Sequence, residues 1–251
     1  MMGQVEKYLT DRIRDEGAVH IALFDPEPEK TSPSLTSRLA LEAESSGTAA
    51  IMVGGSTAVS TTHLDSVVKA IKKAVKIPVI LFPNNVTGIS RHADAIWFMS
   101  LLNSLDPYFI FGAHVLGAPI VRKYELEAIP LGYITVGEGG VVSVVGRAVP
   151  IPFNKPELAA AYALAAQYLG MRFVYLECGS GVKHPIPTEM IATTKKAISV
   201  PLIVGGGMRT PSQIRERVKA GANIIVTGTI TEEKGDVKQR IGGLIKSVKT
   251  K

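Results

Sequence analysis

The sequence contains a single cysteine, Cys178, which excludes an internal disulfide and any metal cluster built on cysteines. Long hydrophobic runs are missing as well. The longest apolar stretch, around Tyr108 to Val121, is broken by Gly112, His114, Gly117 and Pro119. It falls short of the roughly 18 consecutive apolar residues of a membrane span. The N-terminal segment is polar and charged and lacks the apolar core of a signal peptide, so a soluble, cytoplasmic protein is expected. Neither G-x-G-x-x-G nor G-x-x-x-x-G-K-[ST] occurs, which argues against a dinucleotide-binding or P-loop domain. The five histidines show no metal-ligand spacing. The densest basic group, Lys69, Lys72, Lys73 and Lys76, falls at helical spacing without interleaved aromatics, as on a solvated helix face. Nucleic acid is therefore not an expected partner.

What is present is an apolar chain, 46% hydrophobic over 251 residues, with a formal charge of +6 that favours anionic ligands. Short runs rich in Val, Ile and Phe alternate with helix-like stretches. The runs are Val19–Asp25, Thr48–Gly55, Ile77–Pro83, Ala95–Leu101, Ala128–Val136, Arg172–Glu177, Val200–Gly206 and Asn223–Gly228. They are continuous rather than alternating, the pattern of parallel strands covered on both faces. Thr210-Pro211 and Pro156-Glu157 mark helix starts, with Gly221 and Gly170 at the ends. Repeated βα units of this length predict a single (β/α)8 barrel domain over residues 1–251. An open doubly wound sheet is the alternative. Only "NNVTGISRHAD" separates the third strand from the fourth, so the third outer helix is predicted to be missing or reduced to a turn. Such a gap could admit a long ligand, or another subunit could cover it.

In a barrel, chemistry belongs at the C-terminal strand ends. The sixth strand ends in Glu177 and Gly179-Ser180-Gly181, the seventh in Gly205-Gly206-Gly207, and the eighth in Gly228-Thr229. Glycines allow backbone N–H groups close to a phosphate. Three such loops at one rim predict a phosphate site. Asp25 ends the first strand and Ser56 follows the second; a carboxylate and a hydroxyl at adjacent strand ends suit Mg²⁺. Turn and helix capping are the competing roles for that pair. Among the histidines His184, beyond the glycine loop, has a candidate site role, and His114 reads as a core residue. His92 and Asp94 fall in the shortened unit.

"FDPE", "VGGST", "LFPNN", "GISRHADAIWFMSLLNS", "GYITVGEG", "YLECGSG", "IVGGGMR" and "VTGT" occur in this order. On these motifs the chain resembles the geranylgeranylglyceryl phosphate synthases of archaea and, more broadly, the prenylglyceryl phosphate synthases, from about Val19 to Thr231. The resemblance implies a barrel with an incomplete third unit. It also implies Mg²⁺-dependent transfer of a geranylgeranyl group from its diphosphate to the 3-hydroxyl of sn-glycerol 1-phosphate. Asp25 and Ser56 would hold Mg²⁺ with the diphosphate. Tyr175, Leu176, Glu177, Cys178, Gly179, Ser180 and Gly181 would embrace glycerol phosphate, with Gly206, Gly207, Gly228 and Thr229 on its phosphate. Glu177 and Asp25 would be the catalytic carboxylates. The Asp-Asp pair of helical prenyl synthases is absent. Phe98, Met99, Phe109, Phe111, Leu116 and Tyr133 are candidate neighbours of the prenyl chain, and Trp97 reads as core. A homo-oligomer is expected, with peripheral membrane contact left open. Two other functions fit the phosphate loops: a sugar-phosphate isomerase or synthase, and a non-enzymatic barrel that binds a phosphometabolite or prenyl lipid.

Overall fold

All eight apolar runs form strands in the computed structural model, which describes residues 2–27, 31–55, 60–228 and 237–248. They are β1 (Val19–Phe24), β2 (Ala50–Gly54), β3 (Val79–Phe82), β4 (Ala95–Leu101), β5 (Glu127–Thr135), β6 (Phe173–Glu177), β7 (Leu202–Gly205) and β8 (Ile224–Thr227). Each pairs in parallel with its neighbours in sequence, and β1 pairs with β8, so the sheet closes into a barrel. Side chains alternate across this closed sheet. Ile21, Met52, Ile80, Trp97, Leu131, Phe173, Ile203 and Ile224 fill the interior. Their sequence neighbours, such as Ala22, Val53, Leu81 and Val204, pack outward under the helices. Both faces are buried, which is why the strands read as continuous apolar runs.

The covering helices are α2 (Pro33–Ser45), α3 (Thr61–Ala74), α4 (Ala113–Lys123), α5 (Gly140–Val145), α6 (Pro156–Tyr168), α7 (Thr188–Ala197), α8 (Pro211–Lys219) and α9 (Val237–Lys246), preceded by α1 (Gln4–Glu16). The start signal at Thr210 forms a full capping box: its side chain accepts from Gln213 N–H, and the Gln213 side chain accepts from the Thr210 N–H. Helix α1 closes the N-terminal mouth by packing Val5 and Leu9 on the interior core. The Glu127 carboxylate accepts from the N–H groups of Val5 at 2.7 Å and Glu6 at 2.8 Å, satisfying the helix start. Buried Glu6 pairs with Arg172 at 2.5 Å.

The third unit lacks its helix, as the eleven-residue spacing predicts: a single 3-10 turn, Val86–Gly88, stands between β3 and β4. Other contacts hold the strands together there. Asp94 accepts from the Val79 N–H at 2.8 Å and pairs with Lys72 of α3 at 2.7 Å. Ser90 donates to Asp65 of α3 at 2.5 Å, and Arg91 lies over the Tyr124 ring at 4.9 Å. The "SRHAD" segment therefore does with side chains what an outer helix does elsewhere. No helix among the described residues is long and apolar enough to cross a membrane.

Candidate active site

The inward rule of β6 puts Phe173, Tyr175 and Glu177 in one column, with Glu177 topmost at the C-terminal rim. Its carboxylate is 8% exposed and fully engaged on one side. The Tyr175 hydroxyl donates to Oε2 at 2.7 Å, and the Gly179 N–H donates to Oε1 at 2.6 Å. Burial pushes the Glu177 carboxyl up; these two hydrogen bonds pull it back, and the charge of Asp25 adds to the rise. The glycines after β7 lie against the same group. A Cβ on Gly206 would stand 2.6 Å from Glu177 Oε1 and 2.7 Å from Cys178 Sγ, and its φ of +89° is in the glycine region. Only glycine lets this backbone approach the carboxylate so closely.

Below Glu177 lies an aromatic layer of Tyr133 and Tyr175, both marked from the sequence, and Phe82, which was not. Phe82 meets Tyr133 edge-on at 5.3 Å and stacks with Tyr175 at 5.7 Å, while Tyr133 and Tyr175 are 5.1 Å apart. Burial, reinforced by Glu177, holds both phenols well above their ordinary value, so they stay protonated, and that of Tyr175 donates to Glu177.

A cavity of about 260 Å³ runs from Asp25, Glu27, Glu177, Gly179 and Ser180 at the rim to the gap in the third unit. Its far reach lies between the segment Pro83–Ile89 and α4, and its wall is mostly apolar: Phe98, Met99, Leu101, Phe109, Tyr133, Val142 and Val145 contribute. Gly117 of α4 faces the short turn, since a Cβ there would meet Ile89 Cδ1 at 3.4 Å and Val86 Cγ1 at 4.0 Å. The missing helix thus leaves a groove joined to the carboxylate end.

Of the residues marked from the sequence, Asp25, Glu177, Gly179 and Ser180 come together at one end of this cavity. Tyr175 reaches the site through Glu177. Leu176 and Cys178 do not: they alternate outward into the core shared with α6 and α7, and burial pushes the Cys178 thiol up to about 12. Cys178 Sγ packs beneath the rim loops, 3.6 Å from the Gly205 carbonyl and 3.8 Å from that of His184. Gly206 and Gly207 both have positive φ, and Gly207 packs against Pro185 beyond the loop after β6, so the two glycine loops are in contact. Gly228 ends β8 against Leu23. Ser56 and Thr229 lie outside the described residues. Phe98, Met99, Phe109 and Tyr133 line the groove, but Phe111, in the turn Tyr108–Gly112 before α4, and Leu116 on α4 are exposed and do not. Trp97 is core, edge-on to Phe173 at 5.2 Å. His114 is a correction to the core reading: it is half-buried in the groove wall, 4.6 Å from Phe98, and burial lowers its pKa. His184 is exposed and takes no part in the cavity. Glu27, Phe82 and Gly117 were missed. Glu27 stands two residues beyond Asp25 in "DPE", a signal that could have found it.

A family model described as the PcrB family matches residues 11–247. The chain belongs to the PcrB family. Relatives within it carry an explicit activity. The chain is 53% identical to the geranylgeranylglyceryl phosphate synthase of Thermofilum pendens, across 99% of this chain and 96% of that one. It is 55% identical to the synthase of the same name from Pyrococcus furiosus, across 95% and 94% of the two chains. The crystal structure of the (S)-3-O-geranylgeranylglyceryl phosphate synthase of Thermoplasma acidophilum, in complex with its substrate sn-glycerol-1-phosphate, superposes with a TM-score of 0.93 at 39% identity, covering 99% of each chain. For a PcrB-family barrel, the joined groove and carboxylate are the features that chemistry must use.

Proposed function

We propose that this protein transfers a geranylgeranyl group from its diphosphate to the 3-hydroxyl of sn-glycerol 1-phosphate, the first ether-forming step of archaeal membrane lipid synthesis. One observation carries the reading: Glu177 sits where an apolar groove meets glycine loops fit for phosphate. The family membership and the named activity of full-length relatives support it. A sugar-phosphate isomerase would use the loops but has no need of the groove.

In this reading the glycerol phosphate anion is held by backbone N–H groups of the loops containing Gly179–Gly181, Gly206–Gly207 and Gly228. Glu177 accepts a hydrogen bond from the 3-hydroxyl, turning its oxygen toward the donor. The bond between the donor's first carbon and the diphosphate oxygen breaks, and its electron pair leaves with diphosphate. The 3-oxygen forms the new bond to that carbon, and its proton passes to Glu177. Tyr175 and the Gly179 N–H hold the carboxylate still throughout. Asp25 and Glu27 place two carboxylates at the same end of the cavity. These hard oxygens would hold Mg²⁺, to which the family resemblance adds Ser56. When bound, the ion neutralises charge developing on the leaving diphosphate. Phe98, Met99, Phe109, Val142 and Val145 exclude water from the allylic carbon and receive the chain.

The oligomer expected from the sequence has a candidate surface: Phe111 just before α4, Val115 and Leu116 on α4, and Val141 and Val144 on α5 are all more than half exposed. A second copy of the chain covering this face would appear as a dimer or higher mass in light scattering.

The function is tested by incubating the protein with Mg²⁺, glycerol 1-phosphate and prenyl diphosphates of graded length and identifying products by mass. A monoprenyl ether of glycerol phosphate is expected. Absence of ether product with every donor would sink the reading.

A further inference from the structure

The "LLNS" end of the β4 motif takes no part in the mechanism above, yet Asn103 is 5% exposed with its whole amide engaged. Its Nδ2 donates to the Val149 carbonyl at 2.8 Å and to the Thr135 carbonyl at 2.9 Å, with Thr135 Oγ1 at 3.1 Å. Its Oδ1 accepts from the Thr135 N–H at 3.1 Å, and its own carbonyl accepts from the Val149 N–H at 2.9 Å. One side chain thus fastens three things together: the exit of β4, the last residue of β5, and the strap that returns from α5.

That strap closes an excursion, residues 136–151, and the excursion touches both halves of the site. On one side, Gly140 presses on Gly179: a Cβ on Gly140 would stand 2.7 Å from Gly179 Cα. Gly179 is the residue whose N–H holds Glu177 Oε1, and the Val136 N–H holds the Glu177 carbonyl at 2.8 Å. On the other side, Val141, Val142, Val145 and Gly146 of the same excursion wall the groove, with Gly146 seated on Leu101. The first turn of α5 is too short to set its own place. Its ends are fixed by the Asn103 node, by Ser104 Oγ donating to the Gly146 carbonyl at 2.6 Å, and by the Leu105 N–H donating to the Arg147 carbonyl at 2.9 Å.

We propose that Asn103 is a positioning residue that sets the acceptor carboxylate and the groove wall in register through the 136–151 excursion. The inference rests on the reading of Glu177 and the groove given above. The excursion meets the phosphate loops at Gly179, whose N–H is committed to Glu177 Oε1, so anchoring of the acceptor phosphate by the other loop N–H groups should survive when register is lost.

The test measures kcat, KM for geranylgeranyl diphosphate and calorimetric Kd for glycerol 1-phosphate in wild type, Asn103→Ala and the isosteric Asn103→Asp, on protein taken from the folded peak of a sizing column. Misplacement of about an ångström costs up to roughly a hundredfold in rate, so kcat should fall roughly tenfold to a hundredfold in both variants. Donor KM should rise, and acceptor Kd should stay within about threefold. Asn103→Asp keeps the volume and one acceptor but loses both donations, so it should resemble Asn103→Ala rather than wild type. Thr135→Val, which removes only the 3.1 Å contact, should give an intermediate loss and serves if neither Asn103 variant folds. A wild-type protein that makes no ether defeats the functional reading itself. With an active wild type, kcat per folded molecule within about twofold of normal, or kcat and acceptor Kd deteriorating together, would overturn the role of Asn103.

Discussion

Tyr175 donates its hydroxyl to Glu177 at 2.7 Å from two residues earlier on the same strand, so the site's carboxylate and its main donor share one inward-facing column. The hydrogen bond favours the ionised carboxylate and opposes the rise caused by burial. In Tyr175→Phe that opposition is lost and the Glu177 pKa moves further up. Because the base must be ionised, the acid limb of the kcat/KM profile moves to higher pH. A hydrogen bond to a charged group is worth about 1.5–3 kcal/mol, so efficiency on that limb should fall roughly tenfold or more and recover in alkali. A pH–rate profile reads it directly.

Replacing the carboxylate itself separates binding from chemistry. Glu177→Gln keeps shape but accepts no proton, and kcat should drop roughly 10²–10⁴-fold. The glycerol phosphate Kd should change little, since the phosphate is held by backbone. Asp25→Ala should likewise abolish turnover across a Mg²⁺ titration while acceptor binding survives. Normal turnover in that variant would remove Asp25 from the mechanism.

Chain length should be read at Gly117. Gly117, Ile89 and Val86 line the groove where the third outer helix is absent, and a side chain added at Gly117 would meet Ile89 at once. Each buried CH₂ is worth roughly 0.8 kcal/mol, so wild-type efficiency should rise from C10 to C20 donors. Gly117→Trp fills the passage. It should reduce efficiency with the C20 donor far more than with C10, and leave glycerol phosphate binding alone. Equal efficiency with C10 and C20 in the wild type would contradict the extended groove.

A fourth expectation concerns stability. His20 is buried with both ring nitrogens on threonine hydroxyls, Nδ1 at 2.6 Å from Thr48 and Nε2 at 2.8 Å from Thr227, and burial lowers its pKa to about 3. The unfolded chain binds this proton below its ordinary value of 6.5, whereas the fold refuses it until about pH 3. Stability is therefore full above that ordinary value and declines as pH falls toward the folded one, by about 2 kcal/mol per site at pH 5. Thermal melts should show a shallower acid decline in His20→Asn than in wild type.

The barrel was legible because two-sided burial leaves continuous apolar runs, and the missing helix because eleven residues between Pro83 and Ala95 cannot hold one. Glu177 and its glycines were legible from their place at a strand end. The direction of side chains was harder. Taking Tyr175 to Gly181 as one contiguous stretch hid the alternation that sends Leu176 and Cys178 outward. Phe82 and Tyr133 meet Tyr175 only because the closed sheet brings three strands around one axis, which no local pattern records. Gly117 reads as a weak point in an apolar helix until the turn at Val86–Gly88 is set opposite it.

The central claim is that Glu177 lies where acceptor and donor meet. It is tested most directly by a crystal structure of the protein with Mg²⁺, glycerol 1-phosphate and an unreactive geranylgeranyl thiodiphosphate. The account expects the 3-hydroxyl within hydrogen-bond distance of Glu177 and the prenyl chain threaded between the Pro83–Ile89 segment and α4, past Gly117. A chain bound elsewhere, or a 3-hydroxyl turned away from Glu177, would contradict it.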